Sequence, residues 1–132
     1  MRDAERRAER SSLTKKLVVR LKATVTLKKN SDFRRLYKSG KSVANRLLVL
    51  YIRRNGRGTN RVGITVTTKL GGAVQRNRVR RRIREIYRLN AQSLQLGYDI
   101  VIVARVRARY AAYAELERSF FDCASRLGIL SQ

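Results

Sequence analysis

The spacing of apolar positions along the chain predicts a short series of helices and strands. In NSDFRRLYKSG, Phe33, Leu36 and Tyr37 recur at helical spacing, with Asn30 or Ser31 as the cap and Gly40 as the stop, which predicts a first helix. RLLVLYIRR, from Arg46 to Arg54, alternates as a strand, with Leu48, Leu50 and Ile52 on one face and Val49 and Tyr51 on the other. After the turn NGRGTN, the segment RVGITVTT from Arg61 to Thr68 alternates strictly. Val62, Ile64 and Val66 point to a core, leaving Gly63, Thr65 and Thr67 on a small, polar, open face. Gly71 and Gly72 break that strand. They suit a turn better than a phosphate-approaching loop.

The next segment is helical, with Val79, Ile83, Ile86 and Tyr87 on one side and Asn77, Arg80, Arg81, Arg84 and Arg88 on the other. DIVIVAR follows as a continuous β-branched run, suited to a strand covered on both sides. A last helix from about residue 112 to 127 aligns Leu116, Phe120, Cys123, Ala124 and Leu127 in one stripe. The order helix, two strands, helix, strand, helix predicts an α+β fold. It is an α-β sandwich around a small mixed sheet of three or four strands, with one face only partly covered. Residues 1–26 show only weak alternation and many basic residues, so they are expected to form a flexible basic arm ahead of a single domain over residues 27–132.

Charge changes this picture from architecture to partner. The chain of 132 residues carries 32 Lys and Arg against 9 Asp and Glu, a formal net charge of +23. That excess calls for a dense, regular polyanion, with nucleic acid ahead of an anionic membrane. No apolar run approaches the ~20 residues that span a bilayer. The start, MRDAERRAER, has no signal-like apolar stretch. The single cysteine, Cys123, can form no intramolecular disulfide. A cytoplasmic protein with no membrane partner and no small-molecule substrate is expected. The chain has no histidine, and between Glu9 and Glu85 its only carboxylate is Asp32. Two-metal nuclease chemistry, a zinc site and a general acid–base pair all lack their groups, so no catalytic residue is assigned to this chain and no metal site can be placed on it.

Seven arginines fall among the thirteen residues from Arg76 to Arg88, with Glu85 as the one carboxylate. Like charges three and four apart repel by a few tenths of a kcal/mol per pair. A solvated helix face would mix signs to avoid this, so the run is read as a nucleic-acid contact. Phe33 and Tyr37, by spacing alone, are core residues more often than a ligand platform. Tyr51, beside Thr65 and Thr67 on the less apolar strand face, suits either core or base stacking. Cys123 lies on an apolar stripe and reads as packing, not as a reactive thiol.

From Leu27 to about Arg105 the chain resembles the protein subunit of bacterial ribonuclease P. The resemblance is carried by LKKNSDF with Tyr37, SVANR from Ser42 to Arg46, RVGITV, KLGGAV, RNRVRRRIRE from Arg76 to Glu85, and GYDIVIVAR. It implies a left-handed βαβ crossover, against the usual rule. It also implies that cleavage belongs to a catalytic RNA with bound magnesium (Mg2+), and that the protein grips the single-stranded 5′ leader of precursor tRNA. Carried over, Arg76, Asn77, Arg78, Arg81 and Arg84, with Arg80 and Arg88 on the same helix, would dock on the catalytic RNA. Phe33, Tyr37 and Tyr51, with Thr65, Thr67 and Lys69, would line the leader cleft. The chain departs from the family pattern at Thr68 and Gly72, where a lysine and an asparagine are usual. A structural RNA-binding protein, such as a ribosomal component, is the competing class. A double-stranded DNA reader is disfavoured, because so uniform an arginine face suits phosphates and not base edges.

Overall fold

A computed structural model describes residues 24–131. The arm predicted over residues 1–26 lies outside the described residues except at its end, where Thr24–Thr26 form a strand, β1. The further elements are α1 (Asn30–Ser39), β2 (Lys41–Ala44), β3 (Leu48–Arg54), β4 (Asn60–Val66), α2 (Ala73–Asn90), β5 (Tyr98–Ala104) and α3 (Tyr113–Leu127), with short 3-10 turns at Thr68–Leu70, Ala91–Ser93 and Val106–Tyr110. The sheet order is β1-β4-β5-β3-β2. β3 is antiparallel to β2 and β5, while β4 is parallel to β1 and β5, so the sheet is mixed. The α+β class stands. Five strands form where three or four were expected, because β1 and β2 are edge strands of 3 and 4 residues, too short for alternation to mark them.

α2 and α3 cover one face. Leu48, Leu50 and Ile52 of β3, Ile100 and Ile102 of β5 and Val66 of β4 meet Val79, Ile83, Ile86 and Tyr87 of α2 and Leu116, Phe120, Cys123 and Ala124 of α3 in one core. Tyr87 and Phe120 meet edge to face, ring centroids 6.4 Å apart. Among the described residues, the opposite face is covered by α1 and by Leu27 just before it. There Leu27, Leu36 and Val101 form a small second core, with Phe33, Tyr51 and Val103 packed against it and partly exposed.

One predicted detail is corrected and one stands. The α1 N-cap position is Lys29, and no side chain caps it. Gly40 does end α1, but with φ −79 and ψ 160, a backbone any residue adopts. Glycine is needed there for closeness, since a Cβ would lie 2.6 Å from the Leu36 carbonyl oxygen and 2.8 Å from that of Ile52.

Asn45 joins the β2–β3 turn to α3. Its side-chain oxygen accepts from the Leu47 and Leu48 amides at 3.1 and 2.9 Å, and its Nδ2 donates to the Ser119 carbonyl at 2.9 Å. Among the described residues, no helix is long and apolar enough to cross a membrane.

Candidate nucleic-acid interface

The register of the sheet fixes what the open face offers. Tyr51 pairs with Val101, which pairs with Gly63, and one row along, Val49 pairs with Val103, which pairs with Thr65. α1 crosses above the first of these rows. Phe33 closes over Gly63 so tightly that a Cβ on the glycine would lie 2.6 Å from the ring tip, which makes Gly63 buried and not open as its alternation suggested. The second row, Val49–Val103–Thr65, is only partly covered. Beside it two rings meet: Tyr37 and Tyr51 lie edge to face with centroids 4.8 Å apart. The Tyr37 hydroxyl lies 3.5 Å from Thr65 Oγ1, and its side chain is 43% exposed.

The three aromatics therefore divide. Phe33 packs against the second core, Tyr51 is half-buried, and Tyr37 is exposed. Thr67 and Lys69 lie past the end of β4, which stops at Val66. Thr67 Oγ1 accepts from the Lys69 amide at 3.3 Å to start the 3-10 turn, and Lys69 is exposed there. The expected strand stops two residues early because this turn takes over.

An ionic cluster fastens α1 to the sheet beside this cleft. Arg61 clasps Asp99 with two hydrogen bonds, Nε to Oδ1 at 2.7 Å and Nη2 to Oδ2 at 2.6 Å, while its Nη1 lies 3.5 Å from Asp32 of α1. Asn55 Nδ2 donates to Asp99 Oδ1 at 3.1 Å. Burial alone would raise the Asp99 pKa, but the hydrogen bonds from Arg61 and Asn55 outweigh it and hold the carboxyl below its ordinary range. The lone carboxylate of the basic stretch, Asp32, thus has a positioning task. The sequence hinted at it only by its isolation.

On α2 the arginines fall into classes. Arg78, Arg81 and Arg84 are exposed and have no ion pair among the described residues. Arg80 Nη1 donates to the Asn77 side chain at 2.9 Å. Arg88 is clasped by Glu85, whose carboxylate is held below its ordinary pKa chiefly by that hydrogen bond. Arg76 is partly buried, its Nε without a hydrogen-bond partner. Arg82, which the helical period assigned to neither side, donates to the Ala111 carbonyl at 3.1 Å and so braces α2 against the segment before α3. Gly72 occupies the N-cap position of α2, and no side chain caps the helix there. Glycine at that position costs only a few tenths of a kcal/mol relative to asparagine.

A rigid α2 held by its apolar stripe, a face that includes unpaired guanidinium groups, and a cleft where the exposed Tyr37 ring meets the half-buried Tyr51 ring give this α+β protein a surface with the chemistry of a polyanion contact. Comparison with known proteins places it further. A family model described as Ribonuclease P matches residues 21–128. A ribonuclease P protein component from Clostridioides difficile (strain 630) is 49% identical over 107 residues, covering 80% of this chain and 94% of the relative. One from Alkaliphilus oremlandii is 44% identical over 111 residues, covering 84% and 97%. The solved RNase P protein of Staphylococcus aureus superposes with a TM-score of 0.74 at 36% identity, covering 80% of this chain and 97% of that one. That of Thermotoga maritima gives 0.69 at 32%, covering 74% and 92%. The chain belongs to the ribonuclease P protein family. It is the protein component of a ribonucleoprotein endoribonuclease whose catalysis is attributed to the RNA subunit.

Proposed function

We propose that this chain, in a cytoplasmic holoenzyme, docks on the catalytic RNA through α2 and holds the single-stranded 5′ leader of precursor tRNA on the open row of the sheet. The observation that carries the reading is the Tyr37–Tyr51 ring pair, with the Tyr37 hydroxyl 3.5 Å from Thr65 Oγ1, beside a sheet face that α1 leaves half covered. An unpaired base can stack on an exposed ring face whatever its identity. A cleft that must accept leaders of many sequences needs that tolerance.

Docking on the RNA follows from guanidinium chemistry. Each group is planar, permanently charged and weakly hydrated, and it can meet a phosphate with two parallel hydrogen bonds. Val79, Ile83 and Ile86 fix the helix to the sheet, so Arg78, Arg81 and Arg84 present their charges from a rigid support. Phosphates of different RNA strands can then be bridged at one surface. Arg88 joins by exchanging Glu85 for a phosphate, since an exposed ion pair is worth little.

Magnesium is bound mainly by the RNA in this reading. The described residues do not suit a magnesium site: no three of His, Cys, Asp and Glu among them come together as a ligand set, and Asp32 and Asp99 both face Arg61. The role left to the protein is binding and orientation. Adding the chain to its cognate ribonuclease P RNA at low magnesium should restore removal of the leader from precursor tRNA. RNA that cleaves equally well with and without the protein under those conditions would refute the reading.

A further inference from the structure

Beyond α2 and the cleft, a third basic surface gathers where β5 leaves the sheet. The 3-10 turn Val106–Tyr110 is anchored by Ala108, which is fully buried, and is tied down on three sides. Arg105 Nη1 donates to the Asn45 carbonyl at 2.8 Å, Arg109 Nη1 to the Leu70 carbonyl at 3.2 Å, and Arg82 of α2 to the Ala111 carbonyl at 3.1 Å. A 3-10 helix repeats every three residues, so Arg107 and Tyr110 share one side of it. With Arg46 they line a hollow of about 230 Å³. A second hollow of about 400 Å³, lined by Arg46, Arg105, Val106 and Arg107, adjoins it.

The chemistry of this ledge is that of a polyanion site with a ring beside it. Tyr110 is 78% exposed, with the Arg109 guanidinium 5.3 Å from its ring centroid. The ring therefore contributes little to the core. Arg107 has no ion pair among the described residues, and the one carboxylate in the hollow, Glu115, lies 3.8 Å from Arg46. A lone exposed aromatic is ordinary on a protein surface. One fixed on a braced turn, between Arg107 and Arg109, which have no ion pair among the described residues, offers a stack and a phosphate contact together.

We propose that this ledge is a second docking point for the catalytic RNA, taking an unpaired nucleotide whose base stacks on Tyr110 and whose phosphate meets Arg107 and Arg46. The inference rests on the reading that α2 docks on that RNA, because Arg82 and Arg109 make the ledge continuous with α2 and the turn before it.

The test measures binding of the full-length chain to its catalytic RNA across a range of salt concentrations. Tyr110→Ala should weaken binding about tenfold, as loss of one stacked base does, with the salt dependence unchanged. Tyr110→Phe should bind as the wild type does. Arg107→Gln should weaken binding and flatten the log-log salt slope by about 0.7–0.9, the effect of one lost phosphate contact. Both side chains are exposed, so circular dichroism should show an unchanged fold. If Tyr110→Ala and Arg107→Gln bind normally while Arg81→Ala/Arg84→Ala binds weakly, the ledge is not a docking point and the α2 reading survives. If Arg81→Ala/Arg84→Ala also binds normally, both readings fall. A loss seen only with leader-bearing precursor tRNA, and not with the catalytic RNA alone, would overturn the proposal in favour of a substrate contact.

Discussion

Under α2 and α3, strands β3 and β5 send Leu48, Leu50, Ile52, Ile100 and Ile102 into a core where none is more than 4% exposed, while on the other face the same strands leave Val49, Tyr51 and Val103 partly exposed under a single short helix. Two helices of 18 and 15 residues close the first face, and one of 10 covers part of the second. The difference separates two tasks. The closed face supplies stability through buried area. The open face keeps its rings available, and it needs the Arg61–Asp99–Asp32 cluster because its own small core is too slight to hold α1.

The largest effect should come from the closed face. Phe120, 1% exposed, packs against Tyr87, so Phe120→Ala should destabilise the protein by about 3–5 kcal/mol. Denaturant unfolding checks this. A cost as small as that of an open-face ring would erase the distinction between the faces.

Asp99→Asn comes next, at about 3 kcal/mol, because it leaves Arg61 largely buried with only the more distant Asp32. The pH dependence carries a sign. A folded-state pKa held below the ordinary 3.8 means that the pair stabilises fully above that value and loses its contribution as pH falls through the lowered one. Urea melts at pH 7 and pH 3 should therefore show a smaller acid loss in Asp99→Asn than in the wild type, and equal losses would show that another carboxylate governs the acid limb.

Tyr51→Ala probes the open face directly. It should cost the holoenzyme about 1–3 kcal/mol in affinity for leader-bearing precursor tRNA, while mature tRNA binds as before. Equal losses for both RNAs would remove the leader from this cleft. The smallest effect on the fold should come from Arg81→Ala/Arg84→Ala, which relieves like-charge repulsion of a few tenths of a kcal/mol. Its signature lies in the salt dependence of binding to the catalytic RNA, whose slope should flatten by about 0.7–0.9 per contact.

Much of this was legible one residue at a time. The period of α2 separates Val79, Ile83, Ile86 and Tyr87 from the arginines, and the buried set is the same four residues. The alternation of β3 assigns Leu48, Leu50 and Ile52 to the closed face and Tyr51 to the open one, as observed. These are local properties, since a helix or strand sorts its side chains by period whatever it later packs against. Charge likewise needs no fold to name a polyanion partner.

Tertiary structure decided what depends on residues far apart in the chain. Gly63 is buried because Phe33, thirty positions earlier, closes over it. Tyr37 meets Tyr51 and Thr65 only because α1 crosses the sheet at that row. Arg61 meets Asp99 through strand register and Asp32 through the crossing of α1, and Tyr110 stands on a braced ledge because Asn45, Leu70 and Arg82 reach the segment around it. Periodicity tells each residue which way it faces, but which distant residue it faces is set by how the layers close, a choice made by the whole core at once.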